Sequence, residues 1–219
     1  MGLLIMLRHG QASLGTANYD ELSPLGVHQA GLAAARLTGA DQAIDRVVCG
    51  GLLRQQDTAA AVLEALGRPR DAFEVDGRLD EYDHIGVLAA HTSSVSFHGV
   101  SGAAANRDLQ PALEEAIARW ALAESGYAEK HGEFIDRVLA VLAELTATPG
   151  TTLAVTSGGV IAVAAAHALG LPADGWPALA RMQVNAGITK FITGRSGTNL
   201  LTLNDHAHLE AERALVTYR

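Results

Sequence analysis

The sequence predicts an α/β fold, a three-layer α/β/α arrangement with a mostly parallel central sheet and a helical cap insertion. Short apolar runs such as Gly2 to Leu7 and Thr151 to Thr156 are continuous rather than alternating, as strands buried on both faces require. The first two such runs are each followed by a helical segment, and this βαβα alternation is the signature of helices laid on both faces of a parallel sheet. Aromatic residues make up only 5% of the chain while Ala and Gly are abundant, which suits helices packed closely on a sheet and disfavours an aromatic-rich β-sandwich.

The elements follow in order. Gly2 to Leu7 is a strand that ends in the polar loop Arg8, His9, Gly10 and Gln11. Ser23 followed by Pro24 is an N-cap with proline at the first helical position, and Leu25, Gln29, Leu32, Ala33 and Leu37 continue at helical spacing. Arg46 to Cys49 gives a second strand, broken by Gly50 and Gly51, and Leu52 to Leu66 is an Ala-rich helix that stops at Gly67, Arg68 and Pro69. Ala72 to Val75 is a third strand.

From Gly86 to about Gly132 the texture changes to a Ser/Gly/His/Ala stretch without clear period. A helix over Pro111 to Glu124 follows, with Leu113, Ile117, Trp120 and Ala121 on one face. This is the expected cap or lid, inserted at about residues 86–132 into a single domain spanning 1–219; a segment of that length in a compact domain carries function or is an inert insertion. Phe134 to Leu145 is an amphipathic helix. Thr151 to Thr156 is a strand that runs through Ser157, Gly158 and Gly159 into the helix Val160 to Leu169, and Ile188 to Ile192 with Leu200 to Leu203 form a terminal hairpin.

Composition removes several classes of function. Sixteen basic against 24 acidic residues leave a net charge of −8 with no basic cluster, so nucleic acid is not an expected partner, although a few local arginines can still hold a small anion. No apolar run approaches the roughly 20 residues of a membrane span. The single Cys49 allows no internal disulfide, and Met1 to Leu7 has no leader pattern, so a cytoplasmic setting is expected. Cys49 itself is a packed residue at a strand end rather than a nucleophile.

Ligands of α/β sheets bind beyond the carboxyl ends of the strands. Three such ends carry notable groups: Arg8 and His9 after the first, Arg54 after the second, and Ser157-Gly158-Gly159 after the fourth. A neutral imidazole can accept a phosphoryl group, guanidinium forks match phosphate oxygens, and a helix N-terminus adds N–H donors. Together they describe a phosphate site. Taken singly, Arg-His-Gly is also a polar strand end, Arg54 a solvated helix residue and Ser157-Gly158-Gly159 a packing turn.

The motifs Leu7-Arg8-His9-Gly10-Gln11-Ala12, Leu22-Ser23-Pro24-Leu25-Gly26 with Gln29-Ala30, and Leu53-Arg54-Gln55-Gln56-Asp57-Thr58-Ala59 resemble the histidine phosphatase superfamily, in its phosphoglycerate mutase-like branch. So do Leu79-Asp80-Glu81, Thr156-Ser157-Gly158-Gly159-Val160-Ile161 and Asn185-Ala186-Gly187-Ile188-Thr189, in the same order along nearly the whole chain. The resemblance implies a histidine acid phosphatase-type phosphoric monoester hydrolase. In it His9 is the phosphorylated nucleophile, Arg8 and Arg54 hold the phosphate, and Glu81 donates the proton to the leaving group. A carboxyl beside a phosphate dianion has a raised pKa, which suits that role, whereas Asp76, Asp80, Glu81 and Asp83 also read as a run of surface acids.

Two departures bear on activity. The family's asparagine after the nucleophile corresponds to Gly15, with Asn18 as a stand-in, and the family's second histidine corresponds to Ser157. Ser157 still offers a neutral donor beside Gly158 and Gly159, and His84, three residues after Glu81, is the candidate replacement donor or else a loop histidine. A phosphomutase of the same family and a phosphoester-binding pseudoenzyme are the rival readings. The expected partner is a small phosphorylated substrate, without membrane, and a homodimer stays open. No metal and no cofactor are expected: His28 and His167 fall within helices, and His206 and His208 lack further ligands.

Overall fold

The computed structural model describes residues 2–13, 20–38, 43–91, 103–123, 125–195 and 197–218, with the backbone alone for 103–110. Its first half runs β1 (Gly2–Arg8), α1 (Pro24–Thr38), β2 (Arg46–Cys49), α2 (Leu53–Ala65), β3 (Glu74–Val75), α3 (His84–His91) and α4 (Ala103–Leu122). The second half runs α5 (His131–Ala147), β4 (Gly150–Thr156), α6 (Gly158–Ala168), α7 (Trp176–Ala180), β5 (Ile188–Gly194) and β6 (Gly197–Asp205). The strands form one sheet in the order β3-β2-β4-β1-β5-β6. β1, β2, β3 and β4 pair in parallel, and the β5–β6 hairpin is sewn antiparallel to the free side of β1. The expected α/β architecture with a mostly parallel sheet is therefore what the chain adopts.

Alternate residues of the central strands go to opposite layers, as the strand period of two dictates. Leu4 and Met6 of β1, Val48 of β2 and Ala154 of β4 pack with α5 and α6 on one face. Ile5, Leu7, Val47, Cys49, Leu153 and Val155 pack with α1 and α2 on the other. Burial pushes the Cys49 thiol up to about 12, which makes it a packed group. α6 is buried on all sides from Gly158 to Ala166, and its small residues let it lie between the sheet and its neighbours.

Ser23 caps α1 as its sequence position predicts, its Oγ accepting from Gly26 N at 3.0 Å. Just beyond this cap, Gly10 and Gly26 bring two backbones into contact. A Cβ on Gly10 would overlap the Gly26 backbone, and one on Gly26 would overlap that of Gln11.

The stretch after Glu81 differs from the sequence reading. A helix, α3, starts at His84, and α4 begins at Ala103 rather than Pro111, which sits inside it. Proline inside a helix removes its own N–H bond and crowds the carbonyl four residues back, a cost that tertiary packing must outweigh. Packing of Ala116, Ile117 and Trp120 on the core supplies this, while Ala121 faces outward and is not part of the apolar stripe. Residues 92–102 of the expected cap, and Gly15 and Asn18, lie outside the described residues. Among the described residues no helix is long and apolar enough to cross a membrane, and no group of three or more His, Cys, Asp or Glu is placed to hold a metal ion.

Candidate active site

β1 and β4 run side by side in register, with Arg8 opposite Thr156, so the turns that follow them open on the same edge of the sheet. His9, the first residue after β1, is buried there. Its backbone N–H donates to Thr156 O at 2.9 Å, and its carbonyl accepts from Ala186 N and from Asn185 Nδ2. The imidazole is fixed by two further bonds. Nδ1 lies 2.7 Å from Gly10 O, and Arg54 Nε lies 3.2 Å from Nε2. A carbonyl can only accept and an arginine N–H can only donate, so these partners assign the proton to Nδ1 and leave the Nε2 lone pair facing Arg54. Burial, then Arg54 and Arg8, hold the His9 pKa well below the ordinary histidine value, with a smaller push from His84. The ring is a neutral base.

Arg54 reaches His9 from the first turn of α2. Its guanidinium also pairs with Asp20, whose other oxygen accepts Leu53 N at 2.8 Å and so covers the start of the same helix. Thr58, one turn further, accepts from Gly10 N at 3.1 Å and donates to Arg54 O at 2.7 Å, which locks the nucleophile's loop to α2. Arg8 leaves the end of β1 and donates from Nη1 to Gln183 O. Its guanidinium lies over the start of α6, where a Cβ on Gly158 would be 3.5 Å from Arg8 Nε.

Ser157 sits at the N-cap of α6 and is fully buried, its Oγ accepting from Gln55 Nε2 at 2.9 Å. Glu81 approaches the same turn from the other side. Gly159 N donates to Glu81 Oε2 at 3.0 Å, and Tyr82 N reaches Oε1 at 3.3 Å. Burial raises the Glu81 pKa against the opposing pull of Gly159 N–H, Arg54 and Arg8, so the acid holds its proton to higher pH than a free carboxyl. His84 opens α3 and its ring centroid is 6.3 Å from that of Tyr82.

The structure thus brings His9, Arg8, Arg54, Glu81, Ser157 and Gly158 to one edge of the sheet. His84 stands at the border of that group, near enough for its charge to act on His9. Asp20, Gln55, Thr58, Gln183 and Asn185 also shape the site. Gln55, Thr58 and Asn185 fall within motifs already noted, although no role was assigned to them, whereas Asp20 and Gln183 carry no local signal, because each acts through a partner distant in the chain. Of the other histidines, His28 and His167 are exposed on their helices, His206 lies 3.9 Å from Glu210, and His208 Nε2 lies 3.1 Å from Ala186 O.

Tyr82 binds the acid to the helices beside it. Its ring lies 5.3 Å from Trp120 of α4, 5.4 Å from Phe134 of α5 and 5.5 Å from Trp176 of α7. Two cavities border this aromatic cluster. One of about 210 Å³ is lined by Asp83, Gly86, Val87, Trp120 and Tyr127, and one of about 340 Å³ by His91, Arg119, Ser125 and Tyr127, with Gly126 shared.

Residues 4–206 match the histidine phosphatase superfamily (branch 1). The chain belongs to that superfamily. A glucosyl-3-phosphoglycerate phosphatase of Mycolicibacterium vanbaalenii is 33% identical over 195 residues, covering 82% of this chain and 79% of that protein. The native structure of a mycobacterial glucosyl-3-phosphoglycerate phosphatase superposes with a TM-score of 0.65 at 28% identity, covering 92% of this chain and 98% of that one. A phosphoserine phosphatase from Entamoeba histolytica, in complex with phosphoserine, also has a TM-score of 0.65, covering 95% of this chain and 100% of its own; at 19% identity it speaks for the shared fold.

Proposed function

We propose that this histidine phosphatase hydrolyses a phosphomonoester through a phosphohistidine on His9 Nε2, in the manner of a histidine acid phosphatase. The observation that carries the reading is the orientation of the imidazole. Gly10 O holds the Nδ1 proton while Nε2 faces a guanidinium, so the lone pair is aimed where arginines would gather phosphate oxygens.

In the first step the Nε2 lone pair attacks phosphorus in line, and the bond from phosphorus to the ester oxygen breaks. The leaving alkoxide takes the proton held by Glu81. In the second step water attacks the phosphohistidine, gives a proton to the Glu81 carboxylate, and the N–P bond breaks to release inorganic phosphate. Arg8 and Arg54, the Ser157 hydroxyl and the Gly158 N–H at the start of α6 carry the phosphoryl oxygens throughout. His84 supplies a further donor from the border of the site. The substrate is a small phosphorylated metabolite of the cytoplasm, and the two glucosyl-3-phosphoglycerate phosphatases above favour a phosphorylated acid. Residues 86–132 act as the cap that sets substrate choice within a single domain.

Turnover of 4-nitrophenyl phosphate, with detection of phosphohistidine after a denaturing alkaline quench of a labelled phosphomonoester, tests this. The parent should turn over and carry label on His9, His9→Ala should do neither, and His84→Ala should lose about a hundred- to a thousandfold in rate, the usual worth of one preorganised donor. A His84→Ala protein as active as the parent defeats the role given to His84. A parent without phosphohistidine defeats the mechanism and leaves a phosphoester-binding module; transfer of label to a second substrate hydroxyl instead of water makes it a mutase.

A further inference from the structure

We infer that Gln55 is a positioning residue for this reaction, one half of a Gln55–Ser157 pair that does the work of the second histidine that the family resemblance implies at position 157. The inference rests on the phosphatase reading above.

The orientation of the Gln55 carboxamide is fixed. Nε2 lies 3.1 Å from Leu79 O, which can only accept, and Oε1 lies 3.2 Å from Leu52 N, which can only donate. The remaining Nε2 hydrogen goes to Ser157 Oγ at 2.9 Å. Ser157 is therefore an acceptor toward Gln55, and it makes no capping bond to the first turn of α6. Its one proton is left for another acceptor, and that place is assigned to a phosphoryl oxygen of a substrate held by Arg8 and Arg54. A lone serine hydroxyl spins among three rotamers; one that already accepts a bond from a buried amide is held in one.

The surroundings are fitted to this side chain. Gln55 and Ser157 are both fully buried. A Cβ at position 50 would overlap Gln55 Oε1, so Gly50 leaves the room that the carboxamide fills. Leu79 O also accepts from Thr156 Oγ1 at 2.5 Å, so the carbonyl that anchors Gln55 is itself anchored by the residue before Ser157. An imidazole at position 157 and the carboxamide at position 55 would compete for one volume.

The test uses purified full-length protein, with kcat and KM for 4-nitrophenyl phosphate and the affinity for inorganic phosphate. Gln55→Ala should lower kcat about tenfold, the worth of one neutral hydrogen bond, with little change in KM. Ser157→Ala should lose at least as much, and the double variant should be no worse than Ser157→Ala alone. Gln55→Met, which fills the space without donating, should behave like Gln55→Ala; parent-like activity in Gln55→Met would reduce the residue to a space filler and overturn the proposal. Ser157→His should fall below the parent by itself and recover at least about tenfold when combined with Gln55→Ala, which vacates the volume. Additive losses in the double variant, or a Ser157→His protein active without any change at position 55, would also overturn it. If the parent lacks turnover altogether, the phosphatase reading fails, and non-additive losses in phosphate affinity across the same variants still decide whether the pair exists.

Discussion

Around His9 the buried groups are polar and each is tied to the backbone of another element, whereas around Trp120 they are rings packed on rings. On the His9 side, Gly10, Thr58, Thr156 and Asn185 reach the nucleophile or its loop by hydrogen bonds between 2.7 and 3.3 Å. On the other, Tyr82, Trp120, Phe134 and Trp176 meet at centroid distances of 5.3 to 5.9 Å, with hydrogen bonds at both indole rims. Hydrogen bonds fix direction and tolerate little displacement; ring packing contributes more burial but constrains direction less. The two regions meet at Glu81 and Tyr82, adjacent residues of which one serves each side.

That contrast breaks first at Glu81. Glu81→Gln should lower kcat by about a hundred- to ten-thousandfold while leaving phosphate affinity largely intact, since only proton donation is lost. The pH profile tells whether the assignment is right. With the His9 pKa lowered and the Glu81 pKa raised, the imidazole stays neutral to lower pH and the carboxyl stays protonated to higher pH than the free groups, so both shifts favour the reactive pair. Rate should fall on the acid side only below the ordinary histidine range, as His9 takes up a proton, and on the alkaline side above the ordinary carboxylate range, as Glu81 loses one. Glu81→Gln should abolish the alkaline limb alone. Because burial of a carboxyl with a raised folded pKa costs stability once pH exceeds its unfolded value, the same variant should melt higher than the parent at neutral pH.

Trp120→Ala tests the other region. Its loss should cost about 3–5 kcal/mol of stability, read as a lower midpoint in urea, with phosphohistidine formation by the folded fraction retained. Loss of phosphohistidine formation in protein that is still folded would mean that the rings hold the acid in direction as well as in place. The smallest effect belongs to Ser23→Ala, which removes the cap of α1 and should cost about 1 kcal/mol without changing KM.

The same contrast explains what the chain discloses before folding. β1, β2 and β4 are legible because each is a short apolar run bounded by polar or glycine residues, and His9, Arg54 and Ser157 are legible because they follow those runs directly. α3 is not, since Gly86 and the Ser/Gly-rich stretch beyond hide its short apolar face. The start of α4 is misjudged because Pro111 looks like a boundary when only packing decides otherwise. The role of Gln55, a residue already quoted within the Arg54 motif, escapes notice for a different reason: its partner is 102 positions away, and nothing near it says that its amide is needed there.

Where Gly10 meets Gly26, the consequence is one of stiffness. Side chains in contact can yield by turning about a bond, but two backbones pressed together without an intervening Cβ have no such give. The first turn of α1 and the loop that carries His9 therefore travel as one body, and a load placed on the outer face of that helix, where Val27 and His28 are exposed, is delivered to the nucleophile undamped.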